Sequence, residues 1–429
     1  MTIRNERSAR SGARPQVAAL CMLVTLLSAC DLDSLLTVSA PNALPAENLE
    51  QPEAAALLVN GAIGNFECAL GAAIMVTGII ADEFSDAQLG AAQWPYDRRD
   101  ANQQPGSIYG TSGCTSAQGP GIYSPLSVAR WSADNAYRAL SGFTDAQVAK
   151  RDSLMAASAL FAGFSLAHLG MAMCSAAIDE GPEITNMQLF AEAEDRFQNA
   201  LTIATQAGVD AYRHAANVGL ARVRLFQGDG SGAASAAALV PAGFVLNATA
   251  SDSETRRYNR IYHANVQTRL YIIEEQSRNL TTEGVADPRA EVVNTGLRAG
   301  DGQDSWQQLK YTSFDTPIPI ARHAEAQLIL AEAQGGQAAV DIVNALRAPH
   351  GLPPYTGPTD AASIRDLIVE ERRRELFIEG FRMHDIHRFE LPLVPAPGTE
   401  FPIKGGTYGS TTCLPLPDVE RYNNPSIEG

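Results

Sequence analysis

The sequence predicts a mainly α-helical protein, in which tetratricopeptide-like helix pairs form a right-handed superhelical scaffold that packs against a loop-rich, mixed C-terminal subdomain. Two observations favour this fold class. Alanine-rich segments with helical spacing fill residues 128–239 and are separated by short polar or glycine breaks. Beyond residue 243, glycine, proline and aromatic residues interrupt the helical spacing, above all over 287–319.

The segment 187–207 has a spacing of small and aromatic residues that is typical of the second helix of a tetratricopeptide repeat. Ala193, Phe197 and Ala200 match the pattern A-x3-F-x2-A, in which small residues let neighbouring helices approach and the ring fills the gap. The pair of helices over 187–226 also spans about one repeat period. The sequence therefore predicts antiparallel helix pairs in this part of the chain.

Periodicity, caps and breakers define the helices that we expect. The expected ranges are 54–66, 128–140, 145–178, 187–207, 211–226, 256–277, 322–334, 338–346 and 359–379. The segment 153–178 has no Asp, Glu, Lys or Arg, so by length it also meets the criterion for a membrane span. Its alanines, serines and His168 favour a helix that is buried within a helical stack.

The N-terminus is predicted to be a lipoprotein signal peptide over 1–29. Four arginines precede an apolar run over 17–27. Leu27-Ser28-Ala29-Cys30 resembles the lipobox of bacterial lipoproteins, where the cysteine is acylated after cleavage; a chance cysteine near an ordinary cleavage site is the alternative. We expect Cys30 to carry the lipid, which would anchor the protein to a membrane.

The predicted organisation after the signal peptide is a lipidated tether over 30–52 and a single domain over 53–429. Within this domain the helices lie mainly over 53–245 and 320–390, and the C-terminal part 391–429 is irregular. Loop-rich regions over 89–125 and 287–319 are expected to bind ligand, because long loops inside a compact domain are usually functional or disordered.

The charge of the chain excludes one class of partner. The formal net charge is −16, and it becomes −19 after the predicted cleavage because four arginines and one glutamate leave. A protein that binds nucleic acid needs a cationic surface. We therefore expect no nucleic-acid partner.

Four cysteines remain beyond the predicted lipidation site, at Cys68, Cys114, Cys174 and Cys413. An even number in an exported protein favours disulfides, and four cysteines allow three connectivities. We favour a bond between Cys68 and Cys114, because both lie in or beside loop-like, glycine-rich sequence. Free buried cysteines are the alternative.

The stretch 371–390, ERRRELFIEGFRMHDIHRFE, mixes arginines, acids, histidines and apolar residues. Helical spacing places Glu371 and Glu375 on the apolar stripe of the last long helix. Buried carboxylates must be paired, and the stretch itself offers arginines for that purpose. We predict a structural ion network of Glu371 and Glu375 with Arg374, Arg382 and Arg388.

Two functional interpretations of the same stretch are disfavoured. The two carboxylates lie one helical turn apart on one side, so they cannot flank a glycosidic bond as in a glycoside hydrolase. His384, Asp385 and His387 do not have the spacing of a helical zinc motif, and neighbouring arginines would repel a cation. We predict no catalytic residue, no metal site and no cofactor.

The C-terminal motifs resemble those of the SusD/RagB-like lipoprotein family. They are Arg322-His-Ala-Glu325, Ala331-Glu332-Ala333, Ala345-Leu-Arg347, Glu371-Arg-Arg-Arg-Glu375, Glu379-Gly380-x-Arg382, Asp385-x-x-Arg388, Asp287-Pro-Arg289, Lys310-Tyr311, Leu414-Pro-Leu-Pro417, Glu420 and Asn424-Pro425. With the lipobox and the repeat-like helices, the resemblance covers essentially the whole mature chain.

The resemblance implies a non-enzymatic, surface-exposed, nutrient-binding lipoprotein of the cell outer membrane. Family members commonly bind oligosaccharides and pass them to a SusC-like TonB-dependent transporter, on which they form a lid. Capture of peptides or another non-sugar nutrient, and a repeat scaffold that binds only a protein partner, are the alternatives.

The family has no fixed ligand-binding motif, so the expected ligand residues follow from chemistry. Aromatic rings pack on the apolar faces of sugars, and nearby amides bind hydroxyls. Loop aromatics and one amide therefore make up the predicted site: Trp94, Tyr96, Asn102, Trp306 and Tyr311. Each ring could instead fill a core. Trp131, on a predicted helix, is expected to be structural.

Overall fold

The computed structural model describes residues 51–90, 94–101, 108–116 and 119–427. These residues belong to one compact unit, which spans 50–429. Cys30 and Asn102, two of the predicted functional residues, lie outside the described residues. The signal peptide and nearly all of the tether lie outside them as well.

Helices make up most of the described chain. The α-helices are α1 Ala55–Ile80, α2 Trp94–Asp97, α3 Ile108–Thr111, α4 Tyr123–Ser141, α5 Arg151–Ala172, α6 Asn186–Gln206, α7 Asp210–Phe226, α8 Gly230–Ala237, α9 His323–Gln334, α10 Gly336–Arg347, α11 Ala361–Glu375, α12 Arg382–Arg388 and α13 Asp418–Asn423. Consecutive helices from α4 to α8 pack against one another, as do α9 and α10. The prediction of a mainly α fold with tetratricopeptide-like helix pairs is confirmed.

The ring of Phe197 fills the space between three helices. Phe197 lies on α6 and is fully buried, as are Ala193 and Ala200. A Cβ atom added to Gly163 on α5 would lie 2.7 Å from this ring, and one added to Gly219 on α7 would lie 2.5 Å from it. The glycines therefore allow both neighbouring helices to reach the ring, which is the packing that the A-x3-F-x2-A spacing predicts.

Two helices are long and apolar enough to cross a membrane by length and composition, namely the stretch Pro52–Ile80 and α5. In the fold, 78% of the relevant window in the first and 94% in the second is buried by other parts of the protein. Their apolar surfaces are thus covered by protein, as in the core helix of a soluble domain.

The strands are short and pair in antiparallel hairpins or ribbons. They are β1 Phe84–Asp86, β2 Ser175–Ala177, β3 Glu183–Thr185, β4 Val245–Ala248, β5 Tyr271–Ile273, β6 Thr281–Thr282, β7 Val285–Ala286, β8 Val292–Arg298, β9 Asp304–Gln308 and β10 Ile318–Arg322. The pairs are β1 with β5, β2 with β3, β4 with β10, β6 with β7 and β8 with β9. Registers such as Phe84 opposite Ile273 connect the first helical part to the mixed part.

A buried ion pair joins the helices of the two parts. Arg222 on α7 donates from Nε to Glu325 Oε1 on α9 at 2.6 Å and from Nη2 to Glu325 Oε2 at 2.9 Å. The same Nη2 group donates to the carbonyl of Ile320 at 2.7 Å. Both side chains are buried, so the bidentate geometry compensates the loss of water around the charges.

The largest difference from the expected helices concerns 256–277, for which the prediction of one helix is wrong. This segment contains 3-10 turns over Thr255–Arg257 and Glu275–Ser277, a π-helical turn over Tyr262–Gln267, and β5. The π-helical turn ends where the Thr268 hydroxyl donates to the carbonyl of His263, followed by Arg269 with a φ of 55°. A left-handed residue cannot continue a right-handed helix.

Other helix boundaries differ from the predicted ones, because a helix that is buried on all sides has no alternation of apolar and polar faces in its sequence. The first helix continues to Ile80 instead of ending at residue 66, through a stretch of small and apolar residues that is buried all round. The expected helix over 145–178 is α5 followed by β2, and the last long helix ends at Glu375 rather than residue 379. Ile378, with a φ of 49°, lies beyond that end. Trp131, expected to be structural, is 48% exposed on α4.

Candidate functional site

An open cavity of about 390 Å³ lies beside α1, where this helix meets residues 114–116, residues 119–120 and the π-helical turn. Its lining is mostly apolar, with a few polar side chains. The lining residues that matter below are Met75, Gln88, Arg260, His263 and Leu270. A cavity of this size with a few polar groups is typical of sites for small molecules.

Four rings form an aromatic cluster at the border of this cavity: Tyr258, Tyr262, His263 and Phe314. The ring centroids of Tyr258 and Phe314 are 4.4 Å apart, and Tyr262 meets Phe314 edge-on at 5.0 Å. The His263 ring lies 6.0 Å from both Tyr258 and Phe314. All four rings are half-buried, and His263 also lines the cavity. The cluster therefore presents partly exposed ring surface next to an open volume.

Asn259 connects the two chain segments that supply these rings. Its backbone N–H donates to the carbonyl of Phe314 at 2.8 Å, and its amide Nδ2 donates to the carbonyl of Thr316 at 2.8 Å. Its Oδ1 accepts from the backbone N–H of Tyr262 at 3.0 Å. Asn259 is fully buried. Because all three bonds converge on one buried residue, the loop that carries Phe314 is fixed against the turn that carries Tyr262.

Arg260 supplies the positive charge of the cavity. Its aliphatic stem lies against α1 at Gly71, where an added Cβ would be 2.9 Å from Arg260 Cγ. Nη2 donates to the carbonyl of Thr255 at 2.8 Å. Burial, and then the charge of Arg256, lower the pKa of Arg260. Burial, followed by Arg260, also lowers the pKa of His263, so its ring is neutral at pH 7.

A disulfide between Cys68 and Cys114 holds one wall of the cavity. The bond ties α1 to residues 114–116, and Cys114 itself lines the cavity. This is the pairing that the sequence favoured. Cys174 and Cys413 form a second disulfide, which ties β2 to the C-terminal segment.

The four predicted ligand rings, Trp94, Tyr96, Trp306 and Tyr311, do not line this cavity. Tyr96 and Tyr311 are core side chains, 1% and 2% exposed, so they offer no ring face to a ligand. Trp94 is half-buried beneath the guanidinium of Arg98, 4.9 Å from the ring centroid. Trp306 is half-buried and stacks with Arg278 at 5.0 Å. For these two tyrosines the alternative interpretation, that the ring fills a core, agrees with the structure.

The aromatic cluster was missed for an identifiable reason. The expected helix over 256–277 would place Tyr258 and Tyr262 on one face and His263 on another, and it gives no indication that Phe314 lies beside them. In the structure the π-helical turn and the buried Asn259 gather them beside Phe314. The available signal was three ring-bearing residues within six positions, facing a loop with a further phenylalanine.

The ion network around the last long helix exists, but its arginines come from elsewhere in the chain. Glu371 Oε2 lies 2.7 Å from Arg289 Nη1, and Glu371 Oε1 lies 2.7 Å from Arg347 Nη2. Glu375 Oε1 lies 2.6 Å from Arg322 Nη1. Burial opposes the charge of Glu375, yet Arg322 and Arg289 outweigh it and lower its pKa. A lowered pKa is the opposite of what a general acid requires at neutral pH.

The three predicted partners of these carboxylates serve other acids, so that part of the prediction is wrong. Arg374 pairs with Glu370 at the surface, and Arg382 pairs with Asp82 through two contacts of 2.7 Å. Arg388 lies 2.9 Å from Asp385 and 2.6 Å from Glu332. The physical reason is the direction in which the side chains beyond α11 point.

The chain breaks helix geometry between α11 and α12, so Arg382 and Arg388 turn away from the inward face of α11. Arginines from distant segments, Arg289, Arg322 and Arg347, pair with the two glutamates instead.

Metal-binding chemistry finds little support at the histidines of this stretch. Within the described ranges, no group of three or more His, Cys, Asp or Glu side chains is placed to hold a metal ion. His384 is buried, with its ring 5.5 Å from Phe190 and 4.3 Å from Phe226. Burial, and then Arg388, lower its pKa to about 3. Its role is that of a neutral core ring.

Comparison with known proteins identifies the family. The family model that describes the SusD family matches residues 187–425, more than half of the chain. The chain belongs to the SusD family. No curated protein matches this SusD-family protein as a relative.

Solved structures of SusD-like proteins share the fold at low sequence identity. A SusD-like carbohydrate binding protein from Bacteroides vulgatus ATCC 8482 is 15% identical with a TM-score of 0.65, and the match covers 88% of this chain and 97% of that one. A laminarin binding SusD-like protein has the same identity and TM-score, with 88% and 98% coverage. A SusD-like protein from Bacteroides fragilis NCTC 9343 is 13% identical with a TM-score of 0.67, covering 90% and 98%.

Proposed function

We propose that this SusD-family protein is a surface-exposed lipoprotein of the cell outer membrane that binds an oligosaccharide and delivers it to a SusC-like TonB-dependent transporter. The ligand binds in the cavity beside the aromatic cluster, and no catalytic step is involved. The observation that carries the proposal is an open, largely apolar cavity that holds Arg260 and that the aromatic cluster reaches through His263.

The chemistry of a sugar suits this arrangement. A pyranose has apolar C–H faces that pack against rings such as Tyr258 and Phe314, and hydroxyl edges that need hydrogen-bond partners. Gln88 and Arg260 line the same cavity and can meet those hydroxyls. The neutral ring of His263 adds a further flat surface at the border. The laminarin-binding function of one structural neighbour supports a saccharide ligand.

The predicted ligand rings that remain half-buried, Trp94 and Trp306, are not part of the proposed cavity. Each is stacked with an arginine of its own neighbourhood. We therefore replace the predicted set with the aromatic cluster and the polar residues of the cavity.

Calorimetric titration with a panel of neutral and acidic oligosaccharides tests the proposal. We expect at least one oligosaccharide to bind, and expect Tyr258→Ala and Phe314→Ala each to weaken its binding about tenfold through loss of ring stacking. Tyr422→Ala is the matched control, because Tyr422 is an exposed ring on α13. Binding only to peptides, or equal loss in the control, contradicts the proposal.

The membrane anchor and the transporter partner are tested separately. Incorporation of labelled fatty acid should be abolished by Cys30→Ser, and the substituted protein should leave the membrane fraction. Affinity purification from outer membranes should recover a TonB-dependent transporter with the wild-type protein. Failure to label the wild-type chain contradicts the lipid anchor, whatever the ligand.

A further inference from the structure

We infer that the cavity takes an acidic oligosaccharide, one that carries carboxylate or sulfate groups, and that Arg260 binds the anionic group. The inference rests on the proposed function and specifies its ligand class. Three features of the site carry it: the unmatched charge of Arg260, the arginines beside it, and the contrast with every other buried ion pair described above.

Arg260 lies in the cavity wall without a carboxylate. Its Nε is buried and has no hydrogen-bond partner within the described residues, and Nη2 donates only to the carbonyl of Thr255. No Asp or Glu of the described chain forms an ion pair with it. The internal gaps 91–93, 102–107 and 117–118 contain no acidic residue in the sequence. The guanidinium of this cavity-lining residue therefore has a donor that no acceptor of the described residues uses.

The neighbouring arginines add to this charge. Arg256 donates to Asn65 Oδ1 and Arg257 to Thr249 Oγ1, and both acceptors are neutral. Glu67, the acid that reaches this region from α1, accepts from both the backbone N–H and the hydroxyl of Thr249. Three arginines within five positions thus form no ion pair among the described residues, in a chain whose formal net charge is −16.

Five of the six buried arginines of the described residues pair with carboxylates, whereas Arg99 donates to the carbonyl of Pro395 and lies over the ring of Tyr408. Arg222 pairs with Glu325, Arg289 with Glu371, and Arg372 with Asp385. A buried cation without a partner is destabilising. Against that background, the unpaired group in the cavity is best explained by a partner that arrives with the ligand.

The geometry favours an anionic sugar over an acidic peptide. The aromatic cluster at the border offers flat, partly exposed rings, which fit the C–H faces of a pyranose. A guanidinium with free donors binds a planar carboxylate or a sulfate by charge-assisted hydrogen bonds. One ring-sized unit can thus use both features at once, with its face on the cluster and its acidic substituent on Arg260.

Titration calorimetry with three oligosaccharides of equal length tests this inference: a neutral glucan, an oligogalacturonate and a sulfated saccharide. We expect one of the two acidic ligands to bind about tenfold more tightly than the neutral one. Raising the NaCl concentration from about 50 to about 500 mM should lower the affinity for the acidic ligand and leave the affinity for the neutral ligand nearly unchanged. The two acidic arms distinguish carboxylate from sulfate.

Variants assign the effect to Arg260. Arg260→Gln should weaken the acidic ligand about tenfold and the neutral one clearly less, because glutamine can still donate to a hydroxyl but has no charge for the anionic group, and Arg260→Lys should retain part of the preference. Arg138→Gln, at an exposed arginine of α4, is the control of equal charge change. Thermal unfolding checks that each variant is folded.

Each outcome bears on the inference in a distinct way. Equal affinity for neutral and acidic ligands overturns the inference and leaves the proposed function standing. Equal loss for both ligand types in a folded Arg260→Gln protein also overturns it. Stronger binding of an acidic peptide than of any saccharide overturns both, as does the absence of any saccharide binding.

Discussion

Glu83 is a buried carboxylate whose charge depends on pH near neutrality. Its Oε1 accepts from the backbone N–H of Ile378 at 2.7 Å, and its Oε2 has no partner in the described part of the chain. Burial first, together with the nearby charge of Asp82, raises its pKa to about 7. The folded state therefore binds a proton more tightly than the unfolded chain does.

This raised pKa predicts a loss of stability as pH rises. The stabilising proton is fully present below the unfolded pKa of 4.5 and is lost as pH passes through about 7. Glu83→Gln keeps an acceptor for Ile378 and cannot ionise. Its free energy of unfolding at pH 8 should therefore be about 2 kcal/mol higher than that of the wild type. Denaturant titrations at pH 5 and pH 8 measure this.

The exposed Glu180 provides the control for that measurement, since Glu180→Gln should show little difference at either pH. A gain for Glu83→Gln of equal size at both pH values would exclude ionisation as its cause.

Glu371 is structural rather than ligand-binding, and its substitution should show this. Glu371→Ala leaves Arg289 and Arg347 buried with one partner fewer, which should lower the free energy of unfolding by about 3 kcal/mol. Oligosaccharide affinity of the folded fraction should remain unchanged. Glu370→Ala, at a half-exposed neighbour, should cost less than about 1 kcal/mol. Lost binding at unchanged stability would contradict the structural role.

At the level of helices, the contact around Phe197 gives a prediction about glycine. Gly219→Ala puts a Cβ 2.5 Å from the Phe197 ring and should lower stability by about 1–3 kcal/mol, because α6 and α7 must separate. Gly61→Ala, on α1, meets nothing within 4 Å and should raise stability by up to about 1 kcal/mol. Thermal or denaturant unfolding compares them; destabilisation by both would point to a shared backbone effect.

The Cys68–Cys114 disulfide joins a helix to a wall of the cavity, so its removal should affect both stability and binding. Replacing both cysteines with serine should lower the free energy of unfolding by about 2–4 kcal/mol and weaken oligosaccharide binding, because residues 114–116 are released from α1. The matched variant lacking Cys174 and Cys413 should lose stability but retain affinity. Equal affinity in both variants would show that the wall does not contribute to binding.

For the molecule as a whole, the scaffold was more predictable than the site. The spacing of Ala193, Phe197 and Ala200 specifies close helix contacts locally, and the structure has them. The aromatic cluster depends on Asn259, which bonds to Phe314 across 55 positions of sequence. No local sequence pattern predicts such a contact. The same holds for the arginines of Glu371, which come from distant segments.

Exposure was also hard to infer from residue type alone. Trp131 was expected to be structural and is half-exposed, whereas Tyr96 and Tyr311 were expected to meet ligand and are buried. All three are aromatic residues that can serve either purpose. Whether such a ring fills a core or contacts a ligand depends on the packing of neighbouring segments, and that packing is a property of the assembled fold.

The bond between Cys174 and Cys413 spans 239 positions and encloses every segment that builds the proposed cavity wall after α5. A protease that cuts once in an exposed turn near Glu254 would leave two fragments held by this covalent link. If Cys30 carries a lipid, the C-terminal fragment would stay attached to the cell with the other. Nicked protein should thus migrate as one species until it is reduced, so a single backbone cut would not by itself release either fragment.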